Sequence, residues 1–181
     1  MDTSGHTSPT DGFRVERAGA DAGVEAGADG DGTLRDWRHV HNLVVPTAPL
    51  SPDEVRERAG RNRLDVAYLG DVLVGCMTVR PAAGEDPVVV IARVLPEYRG
   101  RGLGVALYEH GLAQAREFGA ATVRTVVLET NPEGLRFALA RGFVEVERYV
   151  LPGDTVAFID LDLDLDLGLD PDLDPEPAAA V

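Results

Sequence analysis

The sequence predicts one α/β domain built on a partly parallel sheet with helices on its faces. At 181 residues the chain has room for one sizeable hydrophobic core and not for two. In the middle of the chain, short apolar runs typical of strands alternate with segments of helical periodicity. Strand–helix–strand units of this kind bring neighbouring strands together in parallel and cover the sheet with helices.

Most of the negative charge lies at the two ends of the chain. The net charge is −14, of which residues 1–32 carry −5 and residues 160–181 carry −8. Blocks of like charge are typical of solvated tails. We therefore predict a domain over residues 12–162 with a flexible Gly/Ala/Asp insertion at about 19–32, a disordered tail over 1–11 and a disordered acidic tail over 163–181.

Local patterns predict a strand and two helices at the start of the domain. Phe13–Arg17 alternates apolar and polar side chains, as a half-exposed strand does. Thr33 is predicted to cap a helix that ends before Pro46. Ser51 is predicted to cap a second helix, with Pro52 in its first turn.

A hairpin and a buried strand are predicted next. Residues 64–69 and 72–79 are β-rich runs that flank Gly70 and Asp71, which form the turn. Val88–Val94 is a continuous apolar run typical of a strand buried on both faces. Cys76 lies inside the second hairpin strand, and we predict a core residue there rather than a nucleophile.

Apolar periodicity also predicts the second half of the domain. The expected elements are a helix over 102–119, a strand over 123–128, and a closing antiparallel pair over 143–151 and 155–161. Asn131 is expected to cap one more helix, with Pro132 in its first turn. The Leu-Asp repeat after residue 161 has the alternation needed to extend the last strand briefly.

Composition argues against several classes of function. No apolar run reaches the roughly 20 residues that cross a bilayer, and the first residues do not resemble a secretory signal, so a cytoplasmic protein without membrane contact is expected. No basic stripe points to nucleic acid. No metal is expected, since there is a single cysteine and metal-site spacing is lacking among His6, His39, His41 and His110.

The stretch from Val94 to Leu107 predicts a binding site for a phosphate group. A predicted strand runs into a turn with glycines at 100, 102 and 104, and the turn opens a long helix. Backbone N–H groups at a helix N-terminus lack intrahelical acceptors, so a pyrophosphate can bind them where glycines allow close approach. The spacing is not G-x-G-x-x-G, and no lysine completes a P-loop, so both of those nucleotide-binding interpretations fail.

Here the sequence resembles the GNAT acyltransferases. The pattern R-x-x-G-x-G at residues 99–104, following V-x-P-x-Y, is similar to the family motif that cradles the pyrophosphate of acetyl-CoA. Residues 131–143 are similar to a second motif, N-x-x-A-x-x-[FL]-Y-x-x-x-G-F. The resemblance runs from about residue 12 to 162. It implies a mixed, mostly antiparallel sheet with helices on both faces, and acetyl-CoA as co-substrate.

The resemblance also implies which residues bind acetyl-CoA. Backbone groups of Ala92, Arg93 and Val94 are expected to pair with the pantetheine arm, because family members splay two neighbouring strands there. Asn131 is expected near the pantetheine or the reacting end, and it is a helix cap as well. The phosphates are expected on Arg99, Gly100, Arg101, Gly102, Leu103, Gly104 and Val105.

One position departs from the family pattern. Many members have a tyrosine that protonates the departing CoA thiolate where this chain has Ala138. A general acid contributes roughly 10² to 10⁴ in rate, but a thiol with a pKa of about 8.5 is already a fair leaving group. The proton for the thiolate would then come from a water molecule, or from the hydroxyl of Tyr108 or Tyr149.

The attacking amine also needs a group that takes its proton, since an alkyl ammonium has a pKa of about 10.4. Glu129, at the end of a predicted strand, is the expected catalytic base. Glu85 and Asp86, which precede another strand, are the alternatives, together with a water relay.

The expected function is an N-acetyltransferase in which an amine of a small molecule or peptide attacks acetyl-CoA directly. The alternative, kept open by Ala138, is a catalytically weak or inactive acyl-CoA-binding module that acts as a sensor or partner. Binding of a protein partner by the acidic tails is compatible with both. The sequence leaves open the acceptor amine, the acyl chain length and a homodimer.

Overall fold

The computed structural model describes residues 10–19 and 32–166. Most of the predicted tails and of the Gly/Ala/Asp insertion lies outside the described residues. The elements are β1 Phe13–Arg17, α1 Gly32–Val44, α2 Pro52–Arg61, β2 Arg63–Leu69, β3 Val72–Arg80, β4 Val88–Val94, α3 Leu103–Glu117, β5 Thr122–Leu128, α4 Pro132–Leu139, β6 Val144–Tyr149 and β7 Phe158–Asp164. This order of elements agrees with the order predicted from the sequence.

All strands form one sheet in the order β1-β2-β3-β4-β5-β7-β6. Neighbouring strands are antiparallel except β4 and β5, which are parallel and are connected through α3. The prediction of a mixed, mostly antiparallel sheet is therefore confirmed. The parallel pair stands at the centre of the sheet, where the glycine-rich turn follows β4.

Helices cover both faces of the sheet. On one face, Trp37 and Val40 of α1 and Val55 of α2 pack on Val66 and Cys76. The Cys76 side chain is fully buried, as predicted for a core residue, and burial raises the pKa of its thiol to about 11. No helix in residues 10–19 and 32–166 is long and apolar enough to cross a membrane.

The other face is covered by α3 and α4. Leu103, Leu107 and Ala115 of α3 and Ala138 of α4 belong to a second core cluster with Val90 and its neighbours on the sheet. Each of these side chains is almost completely removed from solvent. The two clusters lie on opposite faces, so the sheet separates two layers of helices.

Short polar signals set several helix starts. Ser51 Oγ accepts from the Glu54 amide while the Glu54 carboxylate accepts from the Ser51 amide, which is a complete capping box. Asn131 Oδ1 accepts from the Gly134 amide and caps α4 as predicted. The prediction for Thr33 is wrong, because this residue lies inside α1 and its hydroxyl accepts from the Gly19 amide.

Strand β7 begins later in the chain than predicted, and it extends beyond residue 161 into the Leu-Asp repeat as expected. It runs over Phe158–Asp164 because it pairs with the whole of β5, from Leu128↔Phe158 to Thr122↔Asp164. The Leu-Asp repeat supplies this alternation, with Leu161 and Leu163 packed on the α3 and α4 layer. Asp162 accepts two hydrogen bonds from Arg124, so the first acids of the repeat are structural.

Close packing of α3 on the sheet gives a stability prediction. A Cβ at Gly111 would lie 2.5 Å from Val90 and 2.6 Å from the Met77 sulfur. Gly111→Ala is therefore expected to lower the free energy of unfolding by about 1–3 kcal/mol, as measured by chemical denaturation. Gly60→Ala in α2 is the control, because nothing lies within 4 Å of its Cβ position and a gain of about 0.5–1 kcal/mol is expected. Equal effects of the two substitutions would contradict this packing.

Candidate active site

The two parallel strands at the centre of the sheet diverge. They pair only at Val88↔Val123 and Val89↔Arg124, although both continue for several residues. Residues 91–94 of β4 therefore pair with β3 on one side, and on the β5 side they face a gap. The prediction that Val88–Val94 is buried on both faces holds only for its first half, since residues 91–94 are partly exposed. The divergence leaves one backbone edge of β4 open.

A cleft of about 990 Å³ occupies this gap. Its walls are residues 91–94 of β4 and 125–128 of β5, and it is lined from both faces of the sheet. On the α3 and α4 face it reaches the glycine-rich turn. On the α1 and α2 face it reaches residues 43–48, which are the end of α1 and the start of its connection to α2. One cleft therefore joins the two sides of the sheet.

The glycine loop, residues 99–104, forms the start of α3. Gly100 and Gly102 have φ angles of 70° and 80°, which side chains rarely allow. Gly102 is the N-cap, and its carbonyl accepts from the amides of Val105 and Ala106. The amides before Val105 have no helical carbonyl to bind, so they are available to an anion at the positive end of the helix dipole.

Not all residues predicted for the cofactor line the cleft. The side chain of Arg101 is exposed and donates to the Glu97 carbonyl, and Leu103 is fully buried in the core. Arg99 lines the cleft, but its guanidinium already binds the Glu133 carboxylate at 3.0 Å. Those that do line it are Ala92, Arg93, Val94, Arg99, Gly100, Gly102, Gly104, Val105 and Asn131.

Ala138 and Tyr108 lie on the same side of the cleft as the glycine loop. The Tyr108 ring packs edge-on against Phe137 and Phe143. Phe137 precedes Ala138 in α4, and Phe143 follows the turn after α4. The Tyr108 hydroxyl is buried and has no hydrogen-bond partner among the described residues. Burial raises its pKa, so the hydroxyl keeps its proton and remains a donor.

Tyr149 has a different environment. It lines the cleft from the opposite side, stacked on Phe158 at 5.8 Å between ring centroids. Burial and the neighbouring Asp160 raise the pKa of Tyr149. Of the two tyrosines left open by the sequence, Tyr108 is the one on the same side of the cleft as Ala138.

The structure does not bring Glu129 into the cleft. Its exposed carboxylate accepts from Arg148 of β6 at 2.5 Å, and Glu129 is not among the residues that line the walls. Glu85 and Asp86 precede the paired end of β4, opposite to the end where the strands diverge. None of the three carboxylates proposed as a base is therefore among the residues that line the cleft.

Sequence reasoning missed the side chains on the α1 and α2 face. His41, Arg58 and Arg80 line the cleft there, together with the side chain of Arg93, for which only the backbone was predicted. Arg93 is the only charged residue of an otherwise apolar strand, and this was the sequence signal that its side chain has a role. Among the described residues, no group of three or more His, Cys, Asp or Glu side chains is placed to hold a metal ion.

Comparison with known families gives one match. A family model described as the acetyltransferase (GNAT) family matches residues 33–143, which is more than half of the chain and includes the glycine loop and α4. No curated protein matches the sequence.

Several solved structures share the fold. The chain is similar to yncA from Salmonella typhimurium, solved with its cofactor acetyl-CoA, at 18% identity and a TM-score of 0.62 over 90% of this chain and 99% of that one. Arabidopsis thaliana Naa50, solved with the bisubstrate analogue CoA-Ac-MVNAL, is 17% identical with a TM-score of 0.63 over 84% and 99%. The ribosomal-protein-S18-alanine N-acetyltransferase from Escherichia coli is 18% identical with a TM-score of 0.63 over 84% and 93%.

Proposed function

This chain belongs to the GNAT acetyltransferase family, and from that premise we propose that it transfers the acetyl group of acetyl-CoA to an amine. The observation that carries the proposal is the single cleft that passes between β4 and β5 and is lined from both faces of the sheet. Two substrates that enter from opposite faces meet in such a cleft with their reacting groups adjacent. Holding two reactants together in this way removes much of the entropic barrier to group transfer.

The residues of the glycine-loop side fit acetyl-CoA. We assign the pyrophosphate to the free amides at the start of α3, where Gly100 and Gly102 present no side chain. The pantetheine arm contains amides, and the open edge of residues 91–94 offers backbone groups that can pair with them as an added strand would. The acetyl end then lies in the gap between the strands.

The reaction needs two proton movements. The amine nitrogen bonds to the acetyl carbon, the carbon–sulfur bond breaks, the amine gives up a proton and the thiolate takes one. Glu133 is the only carboxylate that lines the cleft within the described residues, and it is paired with Arg99. We therefore assign the proton of the amine to water and not to a carboxylate of the protein.

We assign Tyr108 to the departing thiolate. Tyr108 and Ala138 both line the glycine-loop side of the cleft, and the Tyr108 hydroxyl is buried without a partner within the described chain. A buried donor without a partner costs about 1–3 kcal/mol, which a ligand that accepts its hydrogen bond would recover. A hydrogen bond to the developing negative charge on sulfur would stabilise the transition state more than the ground state.

Ala138 supports a second candidate function. With alanine at this position and no free carboxylate in the cleft, the described residues are also compatible with a module that binds acyl-CoA without turnover. The two functions differ in one observable, which is the transfer of the acetyl group.

An assay of thiol release with product analysis tests the proposed function. We expect release of CoA thiol that saturates in both acetyl-CoA and an amine, matched mole for mole by acetylated amine in mass spectrometry. Binding of acetyl-CoA without thiol release would favour the non-catalytic module. Thiol release without acetylated amine would show hydrolysis, and it would contradict transfer to an amine.

A further inference from the structure

Three arginines line the acceptor half of the cleft, which is its part on the α1 and α2 face. Arg58 of α2, Arg80 of β3 and Arg93 of β4 line it, and none of them forms an ion pair with a described residue. Glu133 belongs to α4 on the other face and is held by Arg99. Among the described residues, no carboxylate lines the acceptor half; Glu54, on which Arg58 acts electrostatically, lies one turn earlier in α2 and does not line the cleft.

Arg93 is the most constrained of these side chains. It is partly buried next to Cys76, and desolvation lowers its pKa, as does the nearby charge of Arg58. One of its nitrogens lies 3.5 Å from Thr78 Oγ1, at the outer limit of a hydrogen bond. A guanidinium has five N–H donors, so most of its donors remain available. Two arginines close together without a carboxylate form a site prepared for an anion.

His41 lies beside the same two arginines and is 5% exposed. Burial, followed by the charge of Arg93, lowers the pKa of His41 to about 4, so the imidazole is neutral at pH 7. Its Nε2 lies 3.2 Å from the Ala48 carbonyl, which can only accept, so Nε2 carries the proton. Nδ1 is then an acceptor, and it is buried without a partner among the described residues.

The rest of the acceptor half is largely apolar. Leu43, Val44 and Val45 line it from the end of α1, and Leu151 and Phe158 line it from the closing strands and their connection. The donor phosphates are assigned to the glycine loop on the opposite face of the sheet. Within the cleft, an anionic group that binds Arg58 and Arg93 therefore has to be part of the acceptor.

We infer that the acceptor is a free amino acid with an apolar side chain, its carboxylate bound by Arg58 and Arg93 and its amine placed on the side of His41. This inference rests on the proposed function and specifies its substrate. A planar guanidinium binds a carboxylate through two parallel hydrogen bonds, which fixes the orientation of the amine. A peptide N-terminus has an amide where the amino acid has its carboxylate, so it leaves the two arginines unpaired.

Pairs of substrates that differ only in the carboxylate test the inference. Leucine, methionine and phenylalanine are compared with leucinamide, methioninamide and phenylalaninamide, each at an equal concentration of unprotonated amine. With the wild-type protein, kcat/KM for the amino acid is expected to exceed that of its amide by about tenfold or more. The amides also reproduce the first residue of a peptide, so they distinguish the two kinds of acceptor.

Variants locate the effect at the arginines. Arg93→Gln and Arg58→Gln are expected to raise KM for the preferred amino acid by about 10- to 100-fold, because a charge-assisted hydrogen bond is lost. For Arg58→Gln, which lies outside the residues assigned to acetyl-CoA, the KM values for the amide and for acetyl-CoA are expected to change by less than about twofold. Arg116→Gln, at an exposed arginine near the end of α3, is the control and should leave all three values unchanged. If Arg93→Gln does not fold, Arg58→Gln, at a half-buried residue of α2, provides the same comparison.

The possible outcomes separate the inference from the proposed function. If the wild-type protein acetylates the amides as well as the amino acids, or if Arg93→Gln and Arg58→Gln lower both activities equally, the inference is wrong and the acetyltransferase assignment stands. The inference is also wrong if acetyl-CoA binds and none of the amino acids is acetylated. Failure of acetyl-CoA to bind would instead overturn the proposed function.

Discussion

Gly102→Glu is expected to weaken acetyl-CoA binding by at least about 100-fold, which corresponds to roughly 2.7 kcal/mol. Gly102 is the N-cap of α3, and its missing side chain leaves the first amides of the helix open to an anion. A glutamate places both bulk and negative charge where the phosphates are assigned. Isothermal titration of acetyl-CoA into the wild-type and variant proteins measures the difference directly.

Gly84→Glu is the matched control for this substitution. Gly84 has a φ of 63°, similar to the 80° of Gly102, and nothing lies within 4 Å of its Cβ position. It lies in the loop between β3 and β4, at the end of β4 remote from the glycine loop. Both variants add the same charge and incur similar left-handed backbone strain, about 1–2 kcal/mol, but only Gly102→Glu should lose binding. Equal loss in both variants would indicate a general effect on folding, and unchanged binding in Gly102→Glu would refute the phosphate assignment.

Tyr108→Phe is expected to lower kcat by about 100-fold, the low end of the range for a general acid, because a thiol is already a fair leaving group. The KM for acetyl-CoA should change little, since the ring contacts with Phe137 and Phe143 remain. Thermal stability should stay equal or rise, because the substitution removes a buried hydroxyl that has no partner among the described residues. A large loss of activity without loss of stability is the signature of a group that acts in the reaction.

Tyr149→Phe is the comparison for this prediction. Tyr149 also lines the cleft, but it lies next to Asp160 and stacks on Phe158 in the acceptor half. We expect its loss to change kcat by less than about threefold under the same conditions. If Tyr149→Phe causes the larger loss, or if Tyr108→Phe retains full activity, the assignment of Tyr108 is wrong. Steady-state thiol release with single-turnover measurements distinguishes the chemical step from product release.

Elements with a strong local signal were predictable from the sequence. The capping box at Ser51 and the Asn131 cap define where α2 and α4 begin, and hydrogen bonds within three residues create both. Strand Val88–Val94 was predicted with its observed bounds because a continuous apolar run ends at Pro87 on one side and Leu95-Pro96 on the other. Thr33 was misplaced because its hydroxyl binds Gly19, a partner that lies 14 positions away in the chain.

The candidate site was predictable in part for the same reason. Its glycine loop is a local structure: a strand ends, two glycines with positive φ angles follow, and a helix starts, all within a few residues. Residue types at short spacing are therefore enough to predict it. Glu129 occupies the strand end where it was expected, but its carboxylate turns to Arg148 on a different strand. The direction of that side chain depends on which strand lies beside it, and periodicity contains no such information.

The sequence by itself determined the family, the order of elements and the anion-binding loop, because each of these depends on residue types at short, fixed spacings. Only the tertiary structure decided where β4 and β5 separate, which tyrosine lies on the same side of the cleft as Ala138, and that Arg58 and Arg93 meet His41 in one half of the cleft. These features join residues from α1, α2, α3 and the central strands, which are far apart along the chain. The packing of whole helices on the sheet brings them together, and no local pattern specifies that packing.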